Sequence, residues 1–456
     1  MRYIPVTCEQ REAMLRAVGV ATSDDLFDII PKAVRLEGGL DLPQGLTEIE
    51  LDSRLRSLAD SNEPATSLVS FLGAGCYDHY IPSVVDHVIS KPEFFTAYTP
   101  YQPEVSQGTL QSIYEYQSMI CALTGMDVSN ASMYDGATAL VEGALMAARV
   151  TKRHRVLCSP TVHPEWQNTL VTYADAGTLE VANYPAVEDG LTSLPDVETQ
   201  LASGDIAALV VQSPNFFGGF EDLGELARLA HEAGALLVVA CNPILLGILE
   251  PPASFGADIV VGEGQSLGNP MSYGGPGLGF FACKTAHVRQ MPGRVVGRTT
   301  DVDGNGAFVL TLATREQHIR REKATSNICS NHALNALAAS VYLAAVGQNG
   351  LAGIARASVA KAHYLRDALL ATGKFTSPWE TSFGYEFTLA YEGDVAAMHD
   401  AMLDHGFLAG VSVSDVEAEW PTGLDSELAE HLVVFAVTEK RTRPEMDAFA
   451  QEVASL

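Results

Sequence analysis

The sequence predicts an α/β fold: a mostly parallel sheet with helices on both faces, followed by a small C-terminal α+β domain. Two observations carry this. From Val156 to Ala282, short apolar runs alternate with amphipathic helical segments. Beyond Leu334 the order changes to one long helical segment and then strand, helix, strand, helix. A chain of 456 residues, 47% of them hydrophobic, buries a large core and is expected to divide into two or three domains. The divisions predicted are a helical arm or cap over 1–60, a large domain over 61–330 and the small domain over 331–456.

Each element has its own signal. In the first sixty residues, Thr22 precedes Asp24 and Asp25, an apolar stretch follows, and Pro31 stops it. Thr47 and Glu50 have the spacing of a capping box before a second helix. Residues 61–105 are irregular and rich in Gly, Pro and aromatics. A helix begins near Gly108, with Leu110, Ile113, Tyr114, Gln117, Ile120 and Leu123 on one face, and Gly125 ends it. A second helix carries Ala137, Leu140, Val141, Ala144, Leu145 and Ala148, and the strand Val156–Cys158 follows. Ile206–Val211 is a continuous apolar run, as a strand covered on both faces requires. Leu223 to Ala233 is the next helix, with Gly234 placed to end it. Leu236–Val239, Ile259–Val261 and Leu278–Ala282 are further strands. In the tail, Leu334–Leu370 reads as helix, Phe383–Tyr391 as a half-buried strand, Val395–His405 as helix, His431–Val437 as strand and Arg443–Val453 as helix.

Composition excludes several function classes. There are 28 basic and 56 acidic residues, a formal net charge of -28, and this field repels nucleic acid. The acids are spread along the chain, as in a solvated surface, and a salty cytoplasm that screens the self-repulsion is the expected setting. No run approaches eighteen consecutive apolar residues and Met1 to Gln10 is no secretory signal, so no membrane span and a cytoplasmic location are expected. The seven cysteines form no CxxC and the histidines do not cluster, so no metal site is expected.

The densest local signal is Asp258–Cys283, DIVVGEGQSLGNPMSYGGPGLGFFAC, with seven glycines from Gly262 to Gly279. Glycines after a buried strand let the backbone come close either to a ligand or to another part of the protein, in a tight connection or a subunit contact. Gly262, Gly264, Gly268, Gly274, Gly275 and Gly277 are the candidates. Leu267 stands where a dinucleotide fingerprint needs glycine. Gly264 to Gly268 matches GxSxG, but Asn269 and Pro270 deny the serine the helix that a nucleophile elbow requires. A second signal is Ala97–Gln107, AYTPYQPEVSQ, where Tyr98, Tyr101 and Gln102 present hydroxyls and an amide. This is either a binding loop or a proline-fixed loop packed by its tyrosines. Asn130–Ala137, NASMYDGA, is either an anion cradle at Gly136 or an ordinary helix start. His163, in His-Pro-Glu-Trp, either stacks on a flat ligand or is structural.

Four stretches together, 71–82 (FLGAGCYDHYIP), 95–111 (FTAYTPYQPEVSQGTLQ), 132–142 (SMYDGATALVE) and 270–282 (PMSYGGPGLGFFA), are similar to the first subunits of split glycine dehydrogenases (decarboxylating), the P-proteins of the glycine cleavage system. The resemblance covers nearly the whole chain, Glu322–Asn327 and Val437–Glu439 included. It implies the fold of the large aminotransferases that depend on pyridoxal phosphate (PLP), fold type I. In that family a strand-end aspartate pairs with the pyridine nitrogen and a later lysine holds the cofactor. Here Leu236–Val239 runs into Ala240-Cys241-Asn242, without the aspartate. Gly262–Met271 contains no lysine, and Gln265 falls near its place. An amide forms no imine, so the resemblance implies a division of labour. A second subunit holds PLP, this chain closes the site across the interface, and two copies of each make an α2β2 heterotetramer. Glycine loses CO2 and its aminomethyl group passes to the lipoyl arm of the H-protein. The implied contacts from this chain are Tyr98, Thr99, Tyr101, Gln102 and His163. Two other readings are a self-sufficient PLP enzyme with its lysine elsewhere, and a scaffold that adds no residue to the site.

Overall fold

A computed structural model of the chain describes residues 5–36, 38, 40–64, 67–182, 185–416, 424 and 426–456. They fall into two units, Met1–Glu63 and Pro64–Leu456. The first unit contains helices Cys8–Val18 and Glu48–Ala59, each started by a complete capping box, Thr7 with Gln10 and Thr47 with Glu50. The second of these boxes is the one read from the sequence. The apolar stretch after Thr22 forms only a 3-10 turn, Asp24–Phe27, because the Thr22 amide and hydroxyl are both engaged by Asp25 and close the turn locally.

The second unit is organised by a seven-stranded sheet: β1 (Val128–Ser129), β2 (Arg155–Cys158), β3 (Glu180–Val181), β4 (Ile206–Gln212), β5 (Leu236–Ala240), β6 (Ile259–Glu263) and β7 (Gly279–Cys283). Their spatial order is β1-β7-β6-β5-β4-β2-β3. From β3 to β6 every pairing is parallel; β7 runs antiparallel to β6, and β1 antiparallel to β7. The continuous apolar run of β4 has the physical meaning expected of it. Leu209 and Val211 belong to one hydrophobic core and Ala208 and Val210 to another, so a single strand faces two cores.

Helices cover both faces. Gln107–Thr124 buries Leu110, Ile113, Tyr116, Gln117, Ile120 and Thr124, and Gly125 closes it at a φ of 72°. Tyr114 and Leu123, expected on that face, are only half-buried, because Tyr116 centres the stripe one residue further round. Gly136–Thr151 is the most buried helix after the β1 loop. The long helix Ala333–Ala371 is kinked at Gly347. By length and composition alone this helix is apolar enough to cross a membrane, contrary to the expectation that no segment is. Its buried side chains, among them Ala336, Tyr342, Leu351, Ala355, Leu365 and Leu369, pack in the main core.

The tail forms a four-stranded antiparallel sheet, in the order Phe375–Thr376, Glu386–Tyr391, Leu432–Ala436, Val411–Ser412. Glu386–Tyr391 is buried on both faces, not half-buried as its sequence suggests, because residues from Gly73 to Tyr77 and from Phe217 to Gly219 lie over it. Val69–Ser70 pairs in parallel with Phe407–Leu408, so the segment entering the large sheet is stitched to the tail. A hairpin, Val295–Thr300 with Gly306–Thr311, was not anticipated.

Candidate functional site

The carboxyl ends of β4, β5 and β6 open onto one crevice, where ligands bind in open α/β sheets. Its inner part is lined by Tyr77, His163, Trp166, Gln212, Asn242, Glu263, Tyr385 and Glu386, among others. About 40 Å³ of space remains there, room for a few waters. An outer part of about 390 Å³ is lined by Gly75, Cys76, Asp135, His163, Trp166, Glu263, Gln265 and Gly274 to Gly277.

The side chains on this crevice are bound to the protein itself. Glu263 ends β6, and its Oε1 accepts from the backbone N–H groups of Gln265 (2.8 Å) and Leu278 (2.7 Å). Its Oε2 accepts from the N–H of Gly136 at 3.0 Å. Burial pushes the Glu263 carboxyl up from its ordinary value, against the pull of these three donors. Asp135 caps the same helix, its Oδ1 2.8 Å from the Thr138 N–H. Asn130–Ala137 is thus a capped helix start in which two of the first N–H groups, those of Gly136 and Thr138, are already held by carboxylates. Gln265 is 7% exposed. Its Oε1 accepts from the Tyr77 N–H at 3.1 Å, and its Nε2 donates to the Asn269 carbonyl at 2.6 Å. Asn242 donates through Nδ2 to the Tyr385 hydroxyl and accepts from the Ile244 N–H at 3.0 Å.

His163 caps the helix Pro164–Asp175: its Nδ1 accepts from the Glu165 N–H at 3.2 Å, and its Nε2 lies 2.8 Å from the Ala74 carbonyl. Its ring stacks on Trp166 with centroids 5.9 Å apart. Burial holds the imidazole below its ordinary pKa, so it is neutral near pH 7.

These residues do not fit PLP. A phosphate at the start of helix Gly136–Thr151 would displace Glu263, and a side chain on Gly136 would already stand 2.3 Å from the Trp166 ring. No carboxylate ends β5, and no lysine lines either part of the crevice. Lys284 is held at the other end of the sheet by Asp258, 2.7 Å away, and by the Gly256 carbonyl.

The glycine-rich run divides in two. Gly262, Gly264 and Gly268 pack against protein: a Cβ at Gly262 would meet the Cys241 carbonyl at 2.4 Å, and one at Gly268 would meet Tyr342 at 2.6 Å. These three serve a tight connection. Gly274, Gly275 and Gly277 line the outer crevice. Tyr98, Thr99, Tyr101 and Gln102 lie elsewhere. Tyr98 and Thr99 line a separate open pocket of about 350 Å³ with Pro276 and residues 330–335; Tyr101 and Gln102 are exposed beside it. The structure does not bring this loop together with His163; the two pockets share only Pro276.

Sequence reasoning missed Glu263, Tyr77, Tyr385 and Glu386. Glu386 is buried, bonded to the Ala74 N–H (2.6 Å) and the Tyr77 hydroxyl (2.8 Å), and burial pushes its carboxyl up to about 7. The available signal was a charged residue inside an apolar strand, at Glu263 in VVGEG and at Glu386 in GYEFTLAY.

Comparison with known proteins agrees with this fold. A family model described as the glycine cleavage system P-protein matches residues 1–450. A relative named probable glycine dehydrogenase (decarboxylating) subunit 1, from Desulforamulus reducens, is 50% identical over 456 residues, which is all of both chains. A crystal structure of an inhibitor-bound glycine decarboxylase (P-protein) of the glycine cleavage system aligns over 100% of both chains, with a TM-score of 0.89 and 45% identity. An alanine–glyoxylate aminotransferase from Nostoc sp., at 18% identity and a TM-score of 0.60 over 86% of this chain and 96% of that one, shares the fold alone. The fold is that of the type I PLP-dependent enzymes, and the chain belongs to the glycine cleavage system P-protein family.

Proposed function

We propose that this chain is the non-lysine subunit of a two-subunit glycine dehydrogenase (aminomethyl-transferring, decarboxylating). A second subunit carries PLP, and two copies of each form the working heterotetramer. Together they remove the carboxyl group of glycine as CO2 and pass the aminomethyl group to the lipoyl arm of the H-protein. The chain works in a salt-rich cytoplasm. The observation that carries the reading is Gln265 with Glu263. The amide has no primary amine to offer, and the carboxylate holds the helix N–H that a cofactor phosphate would need. The relatives' name, subunit 1 of a glycine dehydrogenase, supports the division into two subunits. Tyr98, Thr99, Tyr101 and Gln102, on the exposed loop, are this chain's contribution to the shared site, and His163 holds the neighbouring wall.

The test is glycine–bicarbonate carbon exchange with H-protein and PLP at high salt. The chain alone, the second subunit alone and the two together are compared. Exchange is expected only with both. Exchange by this chain alone would make it a self-sufficient enzyme. Full turnover in an assembled complex carrying alanine at Tyr98 and Gln102 would make it a scaffold.

A further inference from the structure

The pocket walled by Ala97–Pro100, Pro276 and Ser330–Asn335 is made of loops and the first turn of helix Ala333–Ala371, and a buried charge is bonded to its walls from behind. Arg294, 4% exposed, stands directly before the hairpin strand Val295–Thr300 and reaches Thr99 in one wall and the Cys329 carbonyl beside the other. Its Nε faces Glu316 Oε2 at 3.2 Å, and Glu316 is itself 7% exposed. With the charge balanced there, the rest of the guanidinium points at the loops. Nη1 donates to the Thr99 hydroxyl at 3.1 Å, and Nη2 to the Tyr101 hydroxyl at 3.3 Å. Nη2 also donates to the Cys329 carbonyl, at the foot of Ser330–Asn335. The Tyr101 ring lies 5.4 Å from the guanidinium carbon and is flanked edge-on by His318, whose Nδ1 is 3.6 Å from Glu316. A planar guanidinium with its donors fixed in one fork is suited to holding several acceptors in one geometry; a lysine is not.

We propose that Arg294, paired with Glu316, is a positioning residue: it clamps Thr99 and Tyr101 to the Cys329 carbonyl and so fixes the two loops that wall the Tyr98–Thr99 pocket. The inference rests on the reading that this loop contributes to a site shared with the second subunit. The clamp acts only through Thr99 and Tyr101. Outside it, Tyr98 is 72% exposed and free to meet what enters from across the interface.

Removing Arg294 alone would leave the buried Glu316 with only His318, 3.6 Å away, and breaking a buried ion pair on one side destabilises proteins strongly. The test therefore uses Arg294→Met with Glu316→Leu, so that both charges leave together, beside Thr99→Val with Tyr101→Phe. The full complex of both subunits is assayed by glycine–bicarbonate exchange, with assembly checked by size-exclusion chromatography and folding by thermal melting. Exchange in the Arg294/Glu316 variant should fall about 10- to 100-fold with assembly intact, the loss typical of a misplaced site group. The Thr99/Tyr101 variant should lose a similar factor, and combining all four substitutions should add less than about threefold, because both pairs remove the same clamp. Arg294→Lys, which keeps a positive charge beside Glu316 but not the fork of donors, should keep assembly and melting and still lose turnover. Independent, multiplicative losses, or full exchange in the assembled Arg294/Glu316 variant, would overturn the proposal. An inactive wild-type pair would instead overturn the two-subunit reading beneath it.

Discussion

Gln265→Leu is the most direct probe of the residue that the resemblance to the family puts near the place of a lysine. In the crevice the amide is a strap: it takes a buried N–H from the 73–77 loop and gives a hydrogen to the Asn269 carbonyl. Leucine has similar volume and no polar atom, so packing is kept and both bonds are lost. The Tyr77 N–H loses its acceptor in a buried place, at about 1–3 kcal/mol, and the Asn269 carbonyl loses about 1 kcal/mol more. The expected destabilisation is about 2–4 kcal/mol. It is read from urea unfolding as a shift in midpoint at unchanged slope, with urea chosen because it leaves the ionic strength alone. Gln265→Lys should be destabilised as well, since an ammonium can still donate to Asn269 but cannot accept from Tyr77. The lysine variant should also bind no PLP by absorbance after gel filtration, because Glu263 and Trp166 still hold the start of helix Gly136–Thr151. A leucine variant within about 0.5 kcal/mol of the parent, below what a lost buried bond costs, would refute the strap. A lysine variant that retained cofactor would refute the argument that the residues of the crevice do not fit it.

Three further outcomes follow from the same geometry. The Glu386 carboxyl sits at about 7 in the folded protein against 4.5 when exposed, so the folded state holds the extra proton. Its contribution to stability is therefore full below about pH 4.5 and is lost as pH rises through about 7, amounting to about 3 kcal/mol. Glu386→Gln should erase that decline and be the more stable protein at pH 8, measured as the difference between the two proteins' urea midpoints across pH; a flat difference would refute it. Gly279→Ala should cost about 3 kcal/mol or more, because its Cβ would stand 2.2 Å from the Asp135 carbonyl oxygen, a backbone atom that cannot step aside; a thermal melt within a degree or two of the parent would contradict this. With a formal net charge of -28, the melting temperature should rise between about 0.1 M and about 1 M KCl, as the screening length falls from about 10 Å to about 3 Å; a fall would show that self-repulsion is not the dominant electrostatic term.

What could be read in advance follows the reach of each interaction. Strand β4 and the helix Gly136–Thr151 were legible because their signals are local: an apolar run of strand length in one, a 3.6-residue period after Asp135 in the other. The full burial of Glu386–Tyr391 was not legible, since the chain that covers it, around Gly73 to Tyr77, lies 309 residues away along the sequence at the Tyr77–Glu386 contact. The same holds for the site. That position 265 has no amine is visible in one letter. That Gln265 holds Tyr77, 188 residues away, and that Glu263 holds the helix N–H of Gly136, 127 residues away, is visible only in three dimensions. These two contacts also decide what an added amine could do. A pocket that lacked only a lysine would keep open donors at the helix start and a void at the strand ends, and a lysine at position 265 would suffice for binding. Here the N–H groups of Gly136 and Thr138 are held by Glu263 and Asp135, and about 40 Å³ remains at the strand ends. Glu263 and Gln265 are bonded within the fold, so holding a cofactor phosphate at Gly136 would require breaking those bonds before any new contact could form.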